Sequence, residues 1–480
     1  MNPFKYFWAW FETNHFTLYF AIFLFVLSLL KYLPWPKVGA KKILFGIILL
    51  GLVLRVAWLF FSGYEPKTQW SPTHLLESDI ANIQAIDMTR GVWFADDTGQ
   101  PSARRPIGYP LALGLVYKLF GYSAAMGLGL NLALFVWGVG LLYLCAKTVF
   151  DEWAGLLAAF FYSIYPVSIY SIKLMTDEHL FIPLWLFGLY LLLREIAGRS
   201  WRWPLIWYGV VFGLATMTRT HSIFMPAVVA VAYALLKYPW KKVLLAFFAV
   251  AILMQAVNLP WMIRNYKIYG AVVPYTLNNS YVYRSFNPTA TPEGGGHVPD
   301  KGEKGYSEEL ANALASGNPV LYHQLSGREI TRWILSDPFH FALFGTCRAI
   351  YFMGWDRGGG MWPIWFQFQE GSYDPARVFS KSWTDFFEEL GYAYYYGIFF
   401  TFLFSIVLMV RRWKGFSLSR RASILMIGSC FLFWLGEHMI IYPDRKYRFP
   451  LEPLMILYGA FFIQWWMNEF QWRFPRVKRG

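Results

Sequence analysis

Charged side chains are scarce in this sequence, where Asp, Glu, Lys and Arg make up 15% of 480 residues, against roughly 25% in an average soluble domain. A chain of this length folded in water would need charge over the surfaces of two or three domains, so a soluble architecture is excluded. Cysteine is nearly absent as well. Cys145, Cys347 and Cys430 stand far apart and two fall in apolar runs, which rules out a disulfide framework and a thiolate metal centre. The sequence shows no fixed-period repeat and no inverted repeat of the kind many transporters carry. No His-Glu-x-x-His spacing points to a metal.

What the chain has instead is apolar and aromatic length: 56% of its residues are hydrophobic and 21% of all residues are Phe, Trp or Tyr. Apolar segments fall at 15–30, 43–62, 122–145, 153–172, 177–193, 204–219, 222–237, 242–262, 393–410, 422–441 and 450–468. A crossing takes about 20 residues, so the expected fold is an all-α polytopic membrane protein with about 11 transmembrane helices. Several segments are short or broken by Pro or Gly. The first reaches beyond a signal-peptide core, and Lys31-Tyr32-Leu33-Pro34 offers no small-residue cleavage site, so it is expected to stay in the mature chain.

The net charge of +14 is explained by topology. Lys and Arg concentrate in the connections 31–42, 146–152, 194–203, 237–242 and 411–421 and in the C-terminal tail. Positive loops face the cytoplasm, which places the N-terminus outside and the C-terminus inside. Nucleic acid is not an expected partner; membrane lipids are. The chain then divides into N-terminal spans (1–62), a first external loop (63–121), a transmembrane core (122–262), a long external loop (263–392), and C-terminal spans with a cytoplasmic tail (393–480). Both long loops read as holding interfacial helices, the first over the amphipathic stretch that ends at Gly121 and the second over aromatic stretches such as 350–368.

The external side should be poor in charge, yet ionisable residues gather there. Glu77, Asp79 and Asp87 lie in the first loop and Asp177-Glu178-His179 opens a span. Arg104, Arg105, Lys173, Arg219, Arg264, Lys267, Arg284, Arg445, Lys446 and Arg448 supply the opposite sign. Ionised groups at a membrane edge cost a few kcal/mol unless paired or solvated, and such cations suit a phosphate-bearing ligand. Each residue also has an ordinary reading. Asp79 could be a solvated loop acid, Glu178 a helix N-terminal carboxylate, Arg219 a turn anchor, and His179 and His221 interfacial histidines.

Five stretches, taken in order, resemble a known family. They are Arg105-Pro-Ile-Gly-Tyr-Pro-Leu with its continuation to Gly121, Lys173-Leu-Met-Thr-Asp-Glu178, Ala215-Thr-Met-Thr-Arg219, Pro260-Trp-Met-Ile-Arg-Asn-Tyr266, and Lys446-Tyr-Arg-Phe-Pro-Leu-Glu-Pro453. The resemblance is to lipid-linked sugar transferases of the C-type glycosyltransferase fold, relatives of the protein O-mannosyltransferases and lipid A aminoarabinose transferases (glycosyltransferase family 39-like). The chain departs from that pattern at Ile83, where an aromatic is more usual, and at Lys446, where arginine is. The base stays open between Asp79 and Glu77.

That resemblance implies transfer of a sugar from a polyprenyl-phosphate donor to a lipid, glycan or protein acceptor, with inversion, at the external face of a bacterial-type inner membrane. Asp79 or Glu77 would take the acceptor proton, and Glu178 would orient the acceptor, hold a sugar hydroxyl or bind a divalent cation. Lys173, Arg219, Arg264, Arg445, Lys446 and Arg448 would stabilise the leaving phosphate. Arg105, Tyr109, Asp177 and Tyr447 would contact substrate. No other cofactor is implied. A polysaccharide ligase or polymerase shares the donor chemistry, and a secondary transporter would place its ionisable groups mid-membrane, where Arg55 is the clearest case. The orientation is checked by single cysteines: Thr98→Cys and Glu293→Cys should react with an impermeant reagent added outside intact cells, and Ser417→Cys should not. Labelling at Ser417 would reverse the topology.

Overall fold

The computed structural model describes residues 3–5, 14–30, 32 and 38–473, apart from 63–64, 71–76, 97, 200, 278, 355–361, 364–380 and 442. Among the described residues regular structure is helical, and the one extended pairing is an isolated bridge between Ala95 and Pro101. The chain opens with α1 (Asn14–Leu30) and α2 (Ala40–Phe61), and the segment expected as the first external loop folds as α3 (Glu77–Thr89) and α4 (Gly108–Phe120). The core follows as α5 (Ala124–Val149), α6 (Glu152–Ser163), α7 (Pro166–Tyr170), α8 (Glu178–Ile196), α9 (Pro204–Thr218), α10 (Met225–Leu235) and α11 (Trp240–Tyr269). The segment expected as the second loop holds α12 (Asn279–Ser285), α13 (Glu308–Ala315), α14 (Pro319–Ser336) and α15 (Pro338–Met353). The chain closes with α16 (Lys381–Arg411), α17 (Leu418–Ile440) and α18 (Glu452–Arg473).

The all-α membrane architecture holds, but the eleven expected crossings are not all of spanning length. Six helices, α2, α5, α8, α11, α16 and α17, are long and apolar enough to cross, and a bent pair built from α6 and α7 makes a seventh. In α1, α9 and α10 the apolar stretches are shorter. The 15 residues of α9 rise about 22 Å, short of a bilayer core of about 30 Å. The amphipathic helix expected in the first loop is present as α4. The aromatic stretch 350–368 lies mostly outside the described residues.

Local signals start and stop these helices. Asp151 caps α6, its Oδ1 accepting the N–H groups of Trp153 (2.9 Å) and Ala154 (3.1 Å), and Ser123 and Ser417 cap α5 and α17 in the same way. Pro166 cannot continue the ladder of α6. The chain breaks there and bends by 54°. Arg55, fully buried in α2, stitches the break: Nη1 donates to Gly51 O (3.0 Å) and Ser163 O (2.8 Å), and Nη2 to Ser168 Oγ (2.7 Å). Arg55, the clearest cation within a span, therefore holds backbone and a serine. Beyond the bend, the 3-10 turn Ser171–Lys173 reaches the end of α2, where Lys173 Nζ donates to Leu59 O (3.2 Å) and to Ser62 O.

Glycines set the helix registers. A Cβ on Gly209 would sit 2.2 Å from Leu253 Cβ, and one on Gly213 would sit 2.8 Å from Val257 Cβ, so α9 and α11 run parallel in close contact. The same offset carries Arg219, just past α9, to the level of Ile263 and Arg264. The short hairpin α9–α10 therefore turns near the C-terminal end of α11, and its tip meets the head of α4 at Gly108. Gly209→Leu should lower the thermal stability of the purified protein by about 1–3 kcal/mol through overpacking. Gly129→Ala, in the helical α5 with open space around it, should be neutral or stabilising.

Candidate active site

Three polar anchors bring the first external segment against the start of α8. Ser78 Oγ in α3 accepts the N–H of Met175 at 2.7 Å. Asn131 in α5 donates from Nδ2 to Ile172 O (3.0 Å) and Leu174 O (3.1 Å). Its Oδ1 accepts the hydroxyl of Tyr109 at 2.7 Å. Tyr109 is fully buried in α4, and that burial pushes its phenol well above the usual range. At the head of α4, Gly108 allows contact that no other residue could make, since a Cβ there would lie 2.4 Å from Thr218 Oγ1 and 2.8 Å from Thr218 Cα. The Arg-Pro-Ile-Gly-Tyr-Pro segment thus touches both the 173–178 turn and the tip of α9.

Asp79 is fully buried one residue beyond the Ser78 anchor. Its Oδ1 accepts the N–H of Lys67 at 2.9 Å, and Asn82 Nδ2 closes the same loop onto Lys67 O at 2.9 Å. Glu77 opens α3, and its side chain lies outside the described residues. Of the two carboxylates proposed as base, Asp79 is the one whose side chain is described, and it follows directly on the residue bonded to the 173–178 turn.

Glu178 and Arg219 form a buried ion pair, with side chains 6% and 8% exposed. Burial opposes the charge of Arg219, but the carboxylates of Glu178 and Asp177 outweigh it and hold the guanidinium pKa above its ordinary value. Arg219 is a fixed cation. Its guanidinium lies 5.3 Å from the centre of the Tyr447 ring. The 3-10 turn Arg445–Arg448 thereby joins the 215–219 stretch, a link between segments more than 200 residues apart. Lys446 packs on the same tyrosine at 5.0 Å.

Other expected phosphate ligands are placed differently. Arg264 donates to Ser102 O (3.1 Å), Trp93 O (3.3 Å) and Phe94 O (3.2 Å), and stacks on Trp261 at 4.6 Å. Arg448, buried, donates from Nε to Glu452 Oε1 (3.0 Å) and from Nη1 to Phe352 O (3.0 Å) and Gly354 O (3.1 Å). The two arginines share no partner among these contacts. With Lys173, they fasten loops and helix ends by their carbonyls. Arg105 is half-buried, and the side chain of Arg445 lies outside the described residues.

Glu437 and His438 were not singled out in the sequence reading. His221 Nδ1 meets Glu437 Oε1 at 2.8 Å, and the rings of His221 and His438 stack at 5.4 Å. The signal was available: an acid beside a histidine inside the apolar segment 422–441 is costly without a task. Among the described residues, the one group of three or more whose metal-ligating atoms lie within 4.8 Å of one another is His297, Asp300 and Glu303, all exposed in the segment between α12 and α13. Glu178, proposed as a cation ligand, has Arg219 on its Oε1 instead.

Comparison with known proteins bears on the fold and on one segment of the chain. Residues 104–263 match the model of the family described as dolichyl-phosphate-mannose-protein mannosyltransferase. That interval contains the stretches at 105, 173 and 215 in full. No curated protein matches the sequence. Among solved structures, the Archaeoglobus fulgidus oligosaccharyltransferase tethered with an acceptor peptide aligns with a TM-score of 0.50 and 11% identity, over 90% of this chain and 50% of that one. ArnT from Cupriavidus metallidurans bound to undecaprenyl phosphate aligns with a TM-score of 0.42 and 14% identity, over 91% and 79%. The chain spans about half the length of the archaeal structure. At these identities the likeness is one of fold. The 104–263 stretch therefore resembles that mannosyltransferase family, and the likeness to the solved structures is to the fold of membrane glycosyltransferases.

Removing the Glu178 carboxylate leaves Arg219 buried and unpaired, so Glu178→Ala should destabilise the protein by about 3–5 kcal/mol in thermal unfolding. In a double-mutant cycle with Arg219→Ala the losses should be non-additive, with a coupling of about 1–3 kcal/mol. Additive losses would contradict the pairing.

Proposed function

We propose that this protein is an integral-membrane glycosyltransferase that moves a sugar from a polyprenyl-phosphate donor to an acceptor hydroxyl at the external face, with inversion. The observation that carries this reading is that two segments meet the 173–178 turn: α3, where Ser78 next to the buried Asp79 is bonded to Met175, and the turn of Arg219, which is paired with Glu178. An acceptor hydroxyl ionises far above neutrality and needs a base as it attacks, which Asp79 supplies. The anomeric carbon–oxygen bond breaks with its electrons passing to the phosphate, where nearby cations stabilise the growing charge.

Arg105, Arg219 and Lys446 are the cations we assign to the phosphate. Lys173, Arg264 and Arg448 act behind them, since backbone carbonyls already take much of their hydrogen-bonding capacity. Asp177 lines the acceptor side, and Tyr109, expected at the substrate but buried with its hydroxyl on Asn131, holds the head of α4 in place. A lipid-bound donor cannot leave the bilayer, which accounts for a catalyst built almost wholly of apolar helices. A bacterial-type inner membrane is the setting this chemistry suits. The secondary-transporter reading loses its main support, because Arg55 is bound to backbone and a serine.

Purified protein given radiolabelled polyprenyl-phosphate sugars and a membrane extract should transfer label to an acceptor fraction. Asp79→Asn keeps the shape of the side chain but cannot accept a proton, so transfer should fall about 10²–10⁴-fold while donor binding persists. Near-normal transfer in Asp79→Asn with none in Glu77→Gln would move the base by two residues. Activity in both variants would remove general-base catalysis from this segment.

A further inference from the structure

Two buried acceptor atoms beside Arg219 have no hydrogen-bond donor among the described residues. They are Glu437 Oε2 and His438 Nε2. His438 Nδ1 lies 2.9 Å from Trp434 O. A carbonyl only accepts, so in the neutral ring Nδ1 carries the proton and Nε2 presents a bare lone pair. Glu437 uses Oε1 to accept from His221 Nδ1, and that bond leaves Oε2 in hand. Buried acceptors without a donor are costly, and neighbouring residues in a folded chain seldom carry two.

The surroundings define what would satisfy them. Phe352 stacks on His438 at 4.2 Å between ring centres, and Tyr447 lies 5.7 Å from His221 and 5.9 Å from His438. A carboxylate oxygen and an imidazole lone pair repel an anion, so this end of the site does not take phosphate. Arg219 lies within electrostatic reach of both residues and opposes an ammonium group. A neutral group with several hydroxyl donors and an apolar face is left, and that is the chemistry of a sugar ring against aromatic side chains.

We propose that Glu437 and His438 form the sugar-recognition end of the active site, where hydroxyls of the lipid-linked sugar donate to Glu437 Oε2 and His438 Nε2. This rests on the transferase reading above and adds to it a place for the sugar distinct from the place for its phosphate. His221 is a positioning residue here: its bond to Glu437 fixes the carboxylate and ties the Arg219 turn to the outer end of α17.

The test compares two probes, undecaprenyl phosphate and undecaprenyl-phosphate mannose, binding to the full-length protein in lipid nanodiscs. The wild type should bind the sugar-bearing lipid more tightly than the bare one. Glu437→Gln retains an oxygen for His221 but puts an amide NH2 where the unpaired acceptor stood. It should lose about tenfold in affinity for the sugar-bearing lipid, the scale of one charged hydrogen bond, and less than twofold for undecaprenyl phosphate. Unfolding at the wild-type temperature checks that the variant is intact. Equal losses on both lipids, or no loss on the sugar-bearing one, overturn the proposal. Failure of the wild type to bind either lipid overturns the transferase reading itself, and this one with it.

Discussion

The buried pair of Glu178 and Arg219 is the interaction on which the rest of the site depends. Removing two ions from water costs several kcal/mol each, so a pair at the edge of a bilayer persists only if the backbone on both sides is held to it. Here both sides are held. The break at Pro166 and the Asn131 hydrogen bonds to Ile172 and Leu174 fix the approach to Glu178. The parallel packing of α9 on α11, through Gly209 and Gly213, fixes the depth of Arg219. An electrostatic contact of this quality needs those apolar registers, and it in turn fastens the α9–α10 turn to the start of α8.

The short helices follow from the same constraint. A hairpin of full-length spans would carry Arg219 about 8 Å further along α11, out of register with Glu178. At about 22 Å, α9 stops level with Arg264, and the turn meets Gly108, Tyr447 and Glu437 within the protein. The cations that hold backbone serve a related purpose. Arg264 pins the segment leading to Arg104 and Arg105, and Arg448 pins the end of α15. Such scaffold arginines keep irregular backbone satisfied near the membrane, where unpaired carbonyls are expensive.

Much of this was legible in the sequence because membrane chemistry is written in composition. Apolar length gave the helical class, and the distribution of Lys and Arg gave an orientation. The order of five short stretches pointed to the glycosyltransferase fold. Glu178, Arg219 and Tyr447 were named from the sequence and lie together around the arginine, and Asp79, also named, follows the serine bonded to Met175. The count of crossings was less legible, since apolar runs do not reveal that a proline bends one span by 54° or that α9 stops short. Pairing was not legible at all. An external arginine looks the same in sequence whether it awaits a phosphate or holds three carbonyls as Arg264 does, and nothing near Glu437 announces a histidine 216 positions away.

The central claim is that a lipid phosphate meets the protein at the outer end of α8, between the head of α4 and the Arg219 turn. A photoreactive polyprenyl phosphate, with its benzophenone near the headgroup, tests this most directly when crosslinked to the full-length protein in membranes and mapped by mass spectrometry. The account predicts adducts on residues 104–109, 173–179 and 218–221, lost on competition with undecaprenyl phosphate. Competable adducts confined to the opposite ends of the same helices, around 194–203 and 411–421, would contradict it.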